Sequence, residues 1–510
     1  MDITSFAPTG FEGAVVRVEV DIRRGIPGMD IVGLPDGAVR ESRDRVRAAV
    51  RNSGFQVPRD RVLINLGPAG LKKEGAAFDL PIAVALLAAS GQIPPAPYPA
   101  LMVLGELELS GVVRPVRGVL SAVVAAGRAG IPAVMVPRAN MREARAAGRR
   151  TVLGISSLDG VVGLLSGAVE EEKQPECKAP HRSTGTGGCD FSDLRGQERL
   201  KRAMEVAAAG FHHLLLFGPP GSGKTMAARR FPTILPDLDE EESVGVTRIH
   251  SLAGLLPDET GLIQRPPFRD PHHSASLEGL VGGGRPVRPG EVSLAHRGVL
   301  FLDETPEFSA HHLQALREPI ENGRVNIARA GEGRWFPAEF QLILASNPCP
   351  CGNLGRDEGR CICSRTELFR YWRRIGGALL DRIDIRVPVS PVSPENLLDA
   401  GGDSSAVIRE RVKAARDIQN RRYAGYPFRT NGNIPSGLIE RFCPLTEEAR
   451  DVFSSAMATV RLSGRATHSI LKTARTISDL DGGGPIGKIH LFEAVQHRRY
   501  GDRDFFWESL

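Results

Sequence analysis

The residues from Gly218 to Thr225 have the types and the spacing needed to bind phosphate. They read Gly-Pro-Pro-Gly-Ser-Gly-Lys-Thr and follow an apolar run that ends at Phe217. Glycine N–H groups can close around phosphate oxygens, and a helix that begins behind the loop adds its positive end to the same anion. In this pattern Lys224 reaches the β- and γ-phosphates, and Thr225 ligates Mg²⁺. We predict that ATP binds to Gly218, Pro219, Pro220, Gly221, Ser222, Gly223, Lys224 and Thr225.

A second apolar run, from Val299 to Leu302, ends in the acids Asp303 and Glu304. In a nucleotide site Asp303 would hold Mg²⁺ through water, and Glu304 would polarise the attacking water. The alternative is an ordinary strand that ends in two solvated acids, and the phosphate loop upstream argues against it. The two motifs together predict hydrolysis of ATP with Mg²⁺ as the cofactor.

A third apolar run begins at Phe340 and leads to Asn347, whose amide is suited to positioning the lytic water. This order of phosphate loop, acidic strand and polar-tipped strand, followed by helices, resembles that of AAA+ ATPases. The resemblance implies a ring in which a neighbouring subunit supplies an arginine that completes each site.

Two arginines match positions that AAA+ enzymes use. Leu379-Leu-Asp-Arg382-Ile-Asp resembles the motif of the trans-acting arginine in the branch that includes MCM helicases and magnesium-chelatase motor subunits. Ser463-Gly-Arg465-Ala matches the position of the nucleotide-sensing arginine in the C-terminal helices. Two plainer alternatives stay open, which are a surface ion pair of Arg382 with Asp381 or Asp384 and a solvated helix N-terminus for Arg465.

Motifs along the whole chain are similar to those of the YifB/ComM family. They include Val32-Gly-Leu-Pro-Asp-Gly, Asn65-Leu-Gly-Pro-Ala-Gly, Phe268-Arg-Asp-Pro-His-His and Asn347-Pro-Cys-Pro-Cys-Gly. The resemblance implies a hexameric DNA helicase that promotes branch migration during natural transformation. The alternative is a magnesium-chelatase-like motor that remodels a protein partner. A regulatory ATP-binding scaffold is a third reading, and the intact Glu304 argues against it.

The first segment of the chain resembles the Lon-protease domain without its catalytic groups. Where the Lon motif carries serine after Asp-Gly-Pro, this chain reads Glu74-Gly-Ala-Ala77, and the position of the Lon lysine aligns roughly with Leu120. Alanine has no nucleophile to activate. We therefore expect no protease activity and interpret this domain as a module for assembly or for handling DNA.

Two segments correspond to the insertions that point into the ring pore in the MCM-like branch. One is the glycine- and arginine-rich stretch from Leu280 to Gly290, and the other is the hairpin-like stretch from Val325 to Phe336. Arginine neutralises phosphate without reading base sequence, and tryptophan can stack on a base. Packing of the tryptophan under the hairpin is the alternative to stacking. We expect single-stranded or branched DNA to be bound, whatever its sequence, by Arg285, Arg288, Arg329, Arg334 and Trp335.

A cluster of cysteines directly follows Asn347 in the pattern C-x-C…C-x-C. Four thiolates can fill a tetrahedral zinc site, although a single intervening residue is tighter than the usual spacing. The alternative is four reduced thiols in a loop. We interpret as a structural Zn²⁺ site the residues Cys349, Cys351, Cys361 and Cys363.

Four segments of different character must position these motifs. Residues 1–168 alternate strand-like and helical runs, 169–190 have the composition of a linker, 191–391 hold the three apolar strands, and 392–510 have helical periodicity. The expected fold is multidomain α/β. It comprises a Lon-protease-like N-terminal domain, an AAA+ core with a doubly wound parallel sheet and a Cys-rich loop at 349–363, and a C-terminal all-α lid.

Composition excludes several other classes of protein. The 510 residues are 41% hydrophobic and 25% charged, as in globular proteins with real cores. The formal net charge of +5 permits DNA binding through a local patch without demanding it. The first residues lack a signal-peptide pattern, and the longest apolar stretch, Leu80 to Ala89, is too short to span a bilayer. We expect a cytoplasmic protein rather than a membrane protein, a secreted disulfide scaffold or a disordered chain.

Overall fold

The computed structural model describes most of the chain. It covers residues 2–94, 97–148, 151–166, 189–256, 261–329, 332–354, 360–392, 402–460, 463–498 and 500, without the side chains of residues 329, 332 and 455–460. The predicted linker, 169–190, therefore lies almost wholly outside the described residues. Within these ranges, every helix is too short or too polar to cross a membrane.

The N-terminal region combines a mixed sheet with helices. Its strands are β1 (Asp2–Pro8), β2 (Gly13–Arg23), β3 (Gly28–Val32), β4 (Arg61–Gly67), β5 (Ala100–Val103), β6 (Glu106–Leu107), β7 (Val113–Arg114), β8 (Ala133–Pro137) and β9 (Thr151–Ile155). Its helices are α1 (Gly37–Asn52), α2 (Asp79–Ala89), α3 (Val119–Arg128), α4 (Met141–Arg145) and α5 (Gly160–Leu165). Seven strands form one sheet in the order β3-β4-β2-β1-β5-β8-β9. Neighbouring residues of β8 enter separate apolar cores, Val134 in one and Met135 in the other, so both faces of the sheet are covered.

The longest apolar stretch of the sequence is a buried helix of this region. Every residue of α2 from Leu80 to Leu87 is buried. Pro81 lies in the first turn, where a helix does not need the N–H group that proline lacks. The helix is apolar on all sides because core side chains surround it.

The central region is built on a parallel sheet. Its strands are β10 (Leu214–Phe217), β11 (Phe268–Arg269), β12 (Gly282–Gly283), β13 (Arg288–Pro289), β14 (Val299–Leu302), β15 (Arg324–Arg329), β16 (Glu332–Pro337), β17 (Gln341–Ser346) and β18 (Ile385–Pro388). Its helices are α6 (Glu198–Gly210), α7 (Lys224–Arg230), α8 (Glu240–Ala253), α9 (Leu277–Val281), α10 (Glu291–Leu294), α11 (Ala310–Ala315), α12 (Arg317–Asn322), α13 (Arg365–Arg373) and α14 (Gly377–Leu380). Five strands run parallel in the order β11-β14-β17-β10-β18.

Both faces of the parallel sheet are buried, as the continuous apolar runs predict. Along β10, Leu214 and Leu216 enter one apolar core, whereas Leu215 and Phe217 enter another. The strands predicted from the three apolar runs are confirmed as β10, β14 and β17, and β17 begins one residue after Phe340. The chain is thus a mixed α/β protein with a parallel central sheet.

Two antiparallel ribbons stand apart from the five-stranded sheet. Gly282 and Gly283 of β12 pair with β13, and β15 pairs with β16 over their full length. The prediction that Val325 to Phe336 forms a hairpin is confirmed.

The described residues after 402 are mainly helical. The helices are α15 (Ser405–Arg422), α16 (Ile439–Phe442), α17 (Glu447–Val460), α18 (Gly464–Leu480) and α19 (Lys488–Arg498). Ile408 of α15 and Ile477 of α18 share one apolar core with Leu214 of the central sheet. Gln419 Nε2 donates to the carbonyl of Ala209 over 3.0 Å, which satisfies the end of α6. These helices therefore pack directly on the parallel sheet.

Candidate nucleotide-binding site

The phosphate loop runs from the end of β10 to the start of α7. The Gly218 N–H donates to the carbonyl of Ser346 at the end of β17, over 3.2 Å. A side chain at position 218 would bring its Cβ within 2.0 Å of the Val389 carbonyl oxygen, so only glycine fits. Gly223, which precedes the first residue of α7, has a φ of +91° that also favours glycine. The local fold thus requires glycine at two motif positions for steric reasons.

Lys224 is held inside the loop by its carbonyls. Its Nζ donates to Gly218 O over 2.7 Å and to Pro219 O over 2.9 Å, and it lies 3.3 Å from Asn347 Oδ1. Burial lowers the pKa of Lys224 to about 8, although the carboxylates of Asp303 and Glu304 act to raise it. The lysine is therefore a partly desolvated cation beside the predicted water-positioning amide.

Thr225 and Asp303 meet as the sequence pattern predicts for a magnesium pair. Thr225 Oγ1 donates to Asp303 Oδ2 over 2.7 Å. Thr305 Oγ1 donates to the carbonyls of Leu302 and Ala345, over 2.9 and 3.0 Å, and so ties the ends of β14 and β17 together. A hydroxyl and a carboxylate at one point form the oxygen-rich donor set that Mg²⁺ prefers.

Glu304 lies in an unusual turn just beyond this pair. Its backbone φ of +47° is in the left-handed region, which residues other than glycine rarely adopt. The side chain is exposed, and its backbone N–H donates to Asp303 Oδ1 over 2.9 Å. Backbone strain of this kind is concentrated at functional sites.

The cysteine cluster lies next to the phosphate loop. All four Sγ atoms of Cys349, Cys351, Cys361 and Cys363 are within 4.8 Å of one another. The Sγ–Sγ distance is 3.4 Å between Cys349 and Cys351, 3.7 Å between Cys351 and Cys361, and 3.8 Å between Cys361 and Cys349. A tetrahedral site with Zn–S bonds of about 2.3 Å has S–S edges of about 3.8 Å. A Cβ on Gly352 would come within 2.9 Å of Pro220, so this loop touches the phosphate loop.

Arg382 lies at the opposite edge of the parallel sheet from the phosphate loop. β18 begins at Ile385 beside Leu214 and ends at Pro388 beside Phe217. Arg382 precedes β18, whereas the phosphate loop follows β10, so about 10 Å of strand separates the two. Among the described residues, the arginine forms an ion pair with Glu321 rather than with Asp381 or Asp384.

Arg465 is at the same edge as Arg382, near the N-terminus of α18. Its Nη2 donates to Glu321 Oε1 over 2.9 Å. The edge borders a groove of about 1040 Å³, and Glu321, Arg382 and Arg465 all line it. The structure therefore brings the two predicted arginines together and keeps both apart from the phosphate loop of their own chain.

The predicted DNA-binding residues are in two different environments. Arg285 and Arg288 are exposed on the β12–β13 ribbon. Arg334 forms an ion pair with Glu74 of the N-terminal region at 3.6 Å, and the Trp335 ring is 5.4 Å from that of Phe11. The side chain of Arg329 lies outside the described residues. The described part of the second hairpin is thus docked on the N-terminal region, where Trp335 packs against Phe11. Stacking of Trp335 on a base stays a prediction.

A buried network that the sequence motifs did not indicate joins the N-terminal region to α8. Glu143 accepts from the Leu120 N–H over 2.8 Å and from Ser251 Oγ of α8. Ser251 Oγ also accepts from the Gly118 N–H over 3.0 Å. Burial raises the pKa of Glu143 above its usual range, although these hydrogen bonds oppose the shift. Leu120, at the expected lysine position, is itself buried in the apolar core.

Comparison with known proteins adds family-level information. Residues 18–140 match the model of subunit ChlI of Mg-chelatase, 190–397 match that of magnesium chelatase, subunit ChlI, and 402–498 match the ChlI C-terminal model. A protein named YifB from Escherichia coli is 42% identical over 96% of each chain. Competence protein ComM from Haemophilus influenzae is 40% identical over 97% of each chain.

The chain belongs to the YifB/ComM family. The Magnesium-chelatase 38 kDa subunit from Rhodobacter capsulatus is a more distant relative, 25% identical over 60% of this chain and 87% of its own. The resemblance found in the sequence motifs is confirmed. Membership in the YifB/ComM family, with the chelatase-subunit matches, places the chain among the AAA+ ATPases.

Proposed function

We propose that this protein is a ring-forming ATPase motor that acts on DNA and, like the helicase that the family resemblance implies, promotes branch migration during natural transformation. One observation supports a ring. Lys224 and Arg382, the residues that we assign to the two halves of the hydrolytic site, lie at opposite edges of the same sheet, so one copy would not complete its own site. A head-to-tail contact between copies would join the halves, and such heterologous contacts generate closed rings when the rotation between neighbours closes. We propose a hexamer.

The phosphate-loop edge supplies the groups that act within one subunit. Lys224 exchanges its loop carbonyls for phosphate oxygens, and Asn347 orients the attacking water. Glu304 accepts the proton of that water. Thr225 and Asp303 would hold Mg²⁺, which neutralises phosphate charge when bound. Their 2.7 Å hydrogen bond supports this assignment, because it puts both oxygens at one point.

The arginine edge supplies the groups that act on a neighbour. Arg382 stabilises the charge that develops on the transferred phosphoryl group, as trans-acting arginines do. Arg465 senses the same nucleotide. Support comes from the shared contact with Glu321, because it places Arg465 beside Arg382 rather than beside Lys224.

Arginines of the two hairpins hold DNA by its phosphates. The exposed Arg285 and Arg288 are available in the free subunit. Arg334 and Trp335 must first leave Glu74 and Phe11. We assign Arg329 to the same surface from its sequence position alone. Contacts to phosphate and stacking on bases give binding that is independent of sequence.

The four clustered cysteines bind a structural Zn²⁺ ion. The S–S separations support this, because they are close to the edges of a zinc–thiolate tetrahedron. The ion would stiffen the loop between Asn347 and α13. We propose that the protein acts in the cytoplasm. This reducing compartment keeps the thiols available.

A magnesium-chelatase-like motor that remodels a protein partner is the second candidate. It is favoured by the match of three segments of the chain to ChlI models. The N-terminal region would then be an assembly module, and its Ala77 supports the absence of protease chemistry under either candidate.

ATP turnover with and without single-stranded or forked DNA separates the two candidates. We expect DNA of unrelated sequences to stimulate turnover, with Glu304→Gln as the inactive control. Replacing both Arg285 and Arg288 with alanine should weaken DNA binding and reduce its salt slope by about one per arginine. Arg421→Ala, an exposed arginine on α15, is the matched control. Turnover that ignores DNA would support the protein-remodelling motor instead.

A further inference from the structure

Three charged side chains from distant parts of the chain meet at the arginine edge. Glu321 is in the last turn of α12, and its Oε1 accepts hydrogen bonds from Arg382 and from Arg465. The two arginines are 61 and 144 residues away along the chain. One carboxylate oxygen therefore fixes the position of both guanidinium groups.

Among the described residues, one N–H donor of Arg382 has no hydrogen-bond partner. The residue is only 9% exposed, and its Nη1 donates to the carbonyl of Ala378. Its Nε is buried and has no hydrogen-bond partner among the described residues. Buried polar atoms without partners are rare in folded proteins and call for a functional explanation. The guanidinium is thus held in one orientation, but its Nε–H remains able to donate a hydrogen bond.

The ion pairs fix the positions of the two arginine side chains more than they stabilise the fold. The side chains of Glu321 and Arg465 are 43% and 49% exposed, and exposed ion pairs add little to the free energy of unfolding. Burial raises the pKa of Glu321, but the hydrogen bonds and charges of Arg382 and Arg465 outweigh this and hold it below its usual value. The carboxylate is therefore ionised at neutral pH.

We propose that Glu321 is a positioning residue, which holds Arg382 and Arg465 together in each subunit and releases them to the γ-phosphate of a neighbouring subunit's ATP. The inference rests on the proposed trans action of Arg382. Two guanidinium groups at one point repel each other, and the carboxylate between them removes that repulsion until the phosphate arrives. The phosphate carries more negative charge than the carboxylate and offers several acceptor oxygens, so the exchange is favourable.

A double-mutant cycle of ATP turnover tests this role. We expect Glu321→Gln to lower kcat by about 10- to 100-fold, the loss typical of a group displaced by about 1 Å. KM for ATP should stay near the wild-type value, because the misplaced arginines act on charge that develops in the transition state rather than on the bound nucleotide. Combined with Arg382→Ala, the same substitution should cause a smaller loss than it does alone, because one of the two arginines that it positions is already gone. Glu318→Gln removes a carboxylate from the same helix that touches neither arginine and is the control.

The outcomes distinguish the trans role of Arg382 from the positioning role of Glu321. If Arg382→Ala itself leaves kcat unchanged, the proposed trans action of Arg382 is wrong. If Arg382→Ala lowers kcat but Glu321→Gln does not, only the positioning role of Glu321 is wrong. The same conclusion follows if the double variant shows the full product of the two separate losses. An unfolding temperature and oligomer size equal to those of the wild type exclude misfolding, and Glu321→Asp, which keeps the charge, should recover part of the rate.

Discussion

The two edges of the parallel sheet carry complementary chemistry but are built in different ways. At the phosphate-loop edge, backbone geometry and strand ends place Lys224, Thr225 and Asp303 within one short region of space. At the opposite edge, ion pairs among side chains place Arg382 and Arg465 on Glu321. Under the proposed function, the first edge binds a nucleotide by itself and the second acts only on a neighbour. This difference would make the ATPase depend on assembly.

The largest expected effects distinguish binding from turnover. Lys224→Ala should abolish ATP binding, because it removes the cation from the phosphate loop. Arg382→Ala should leave binding nearly unchanged and lower kcat by about 10³- to 10⁵-fold, the range measured for trans arginines. Equilibrium binding of a labelled nucleotide, measured beside steady-state turnover, checks both. Loss of binding in the Arg382 variant would remove the distinction between the edges.

The cysteine cluster is expected to act on the phosphate-loop edge alone. Purified protein should contain one zinc ion per chain, and Cys351→Ser should lose it, because three thiolates leave the tetrahedron incomplete. Since Gly352 lies against Pro220, we expect ATP binding to weaken in this variant. Metal analysis and nucleotide binding measure the two effects. Cys189→Ser, outside the cluster, is the control, and wild-type protein without zinc would contradict the prediction.

The smallest effect concerns pH. In the free protein the pKa of Lys224 is lowered to about 8 from 10.5. The amine loses its charge as pH rises through this value, so ATP affinity should fall above about pH 8, by at most tenfold per pH unit. Binding can be followed with little hydrolysis in the Arg382→Ala variant, which keeps the carboxylates of Asp303 and Glu304 beside Lys224. Adding Lys224→Arg should remove the dependence, because guanidinium does not titrate in this range. An equal slope in both proteins would rule out Lys224 as the source.

The two edges also differ in what the sequence could predict. Gly218 to Thr225 and Asp303 are in local patterns, because a loop between a strand and a helix encodes its own geometry. The partner of Arg382 could not be predicted, since Glu321 belongs to no motif and the contact depends on how α12 packs. The same holds for Phe11 beside Trp335 and for Ser251 beside Glu143, which are contacts between regions distant in the chain.

Mixing two inactive variants tests the central claim most directly. Arg382→Ala keeps an intact phosphate-loop edge, and Glu304→Gln keeps an intact arginine edge. If each site is completed by a neighbour, a mixed assembly contains interfaces with both intact halves, and ATP turnover should rise well above that of either variant alone. Turnover that stays at the level of the separate variants, in assemblies shown to contain both, would contradict a site shared between subunits.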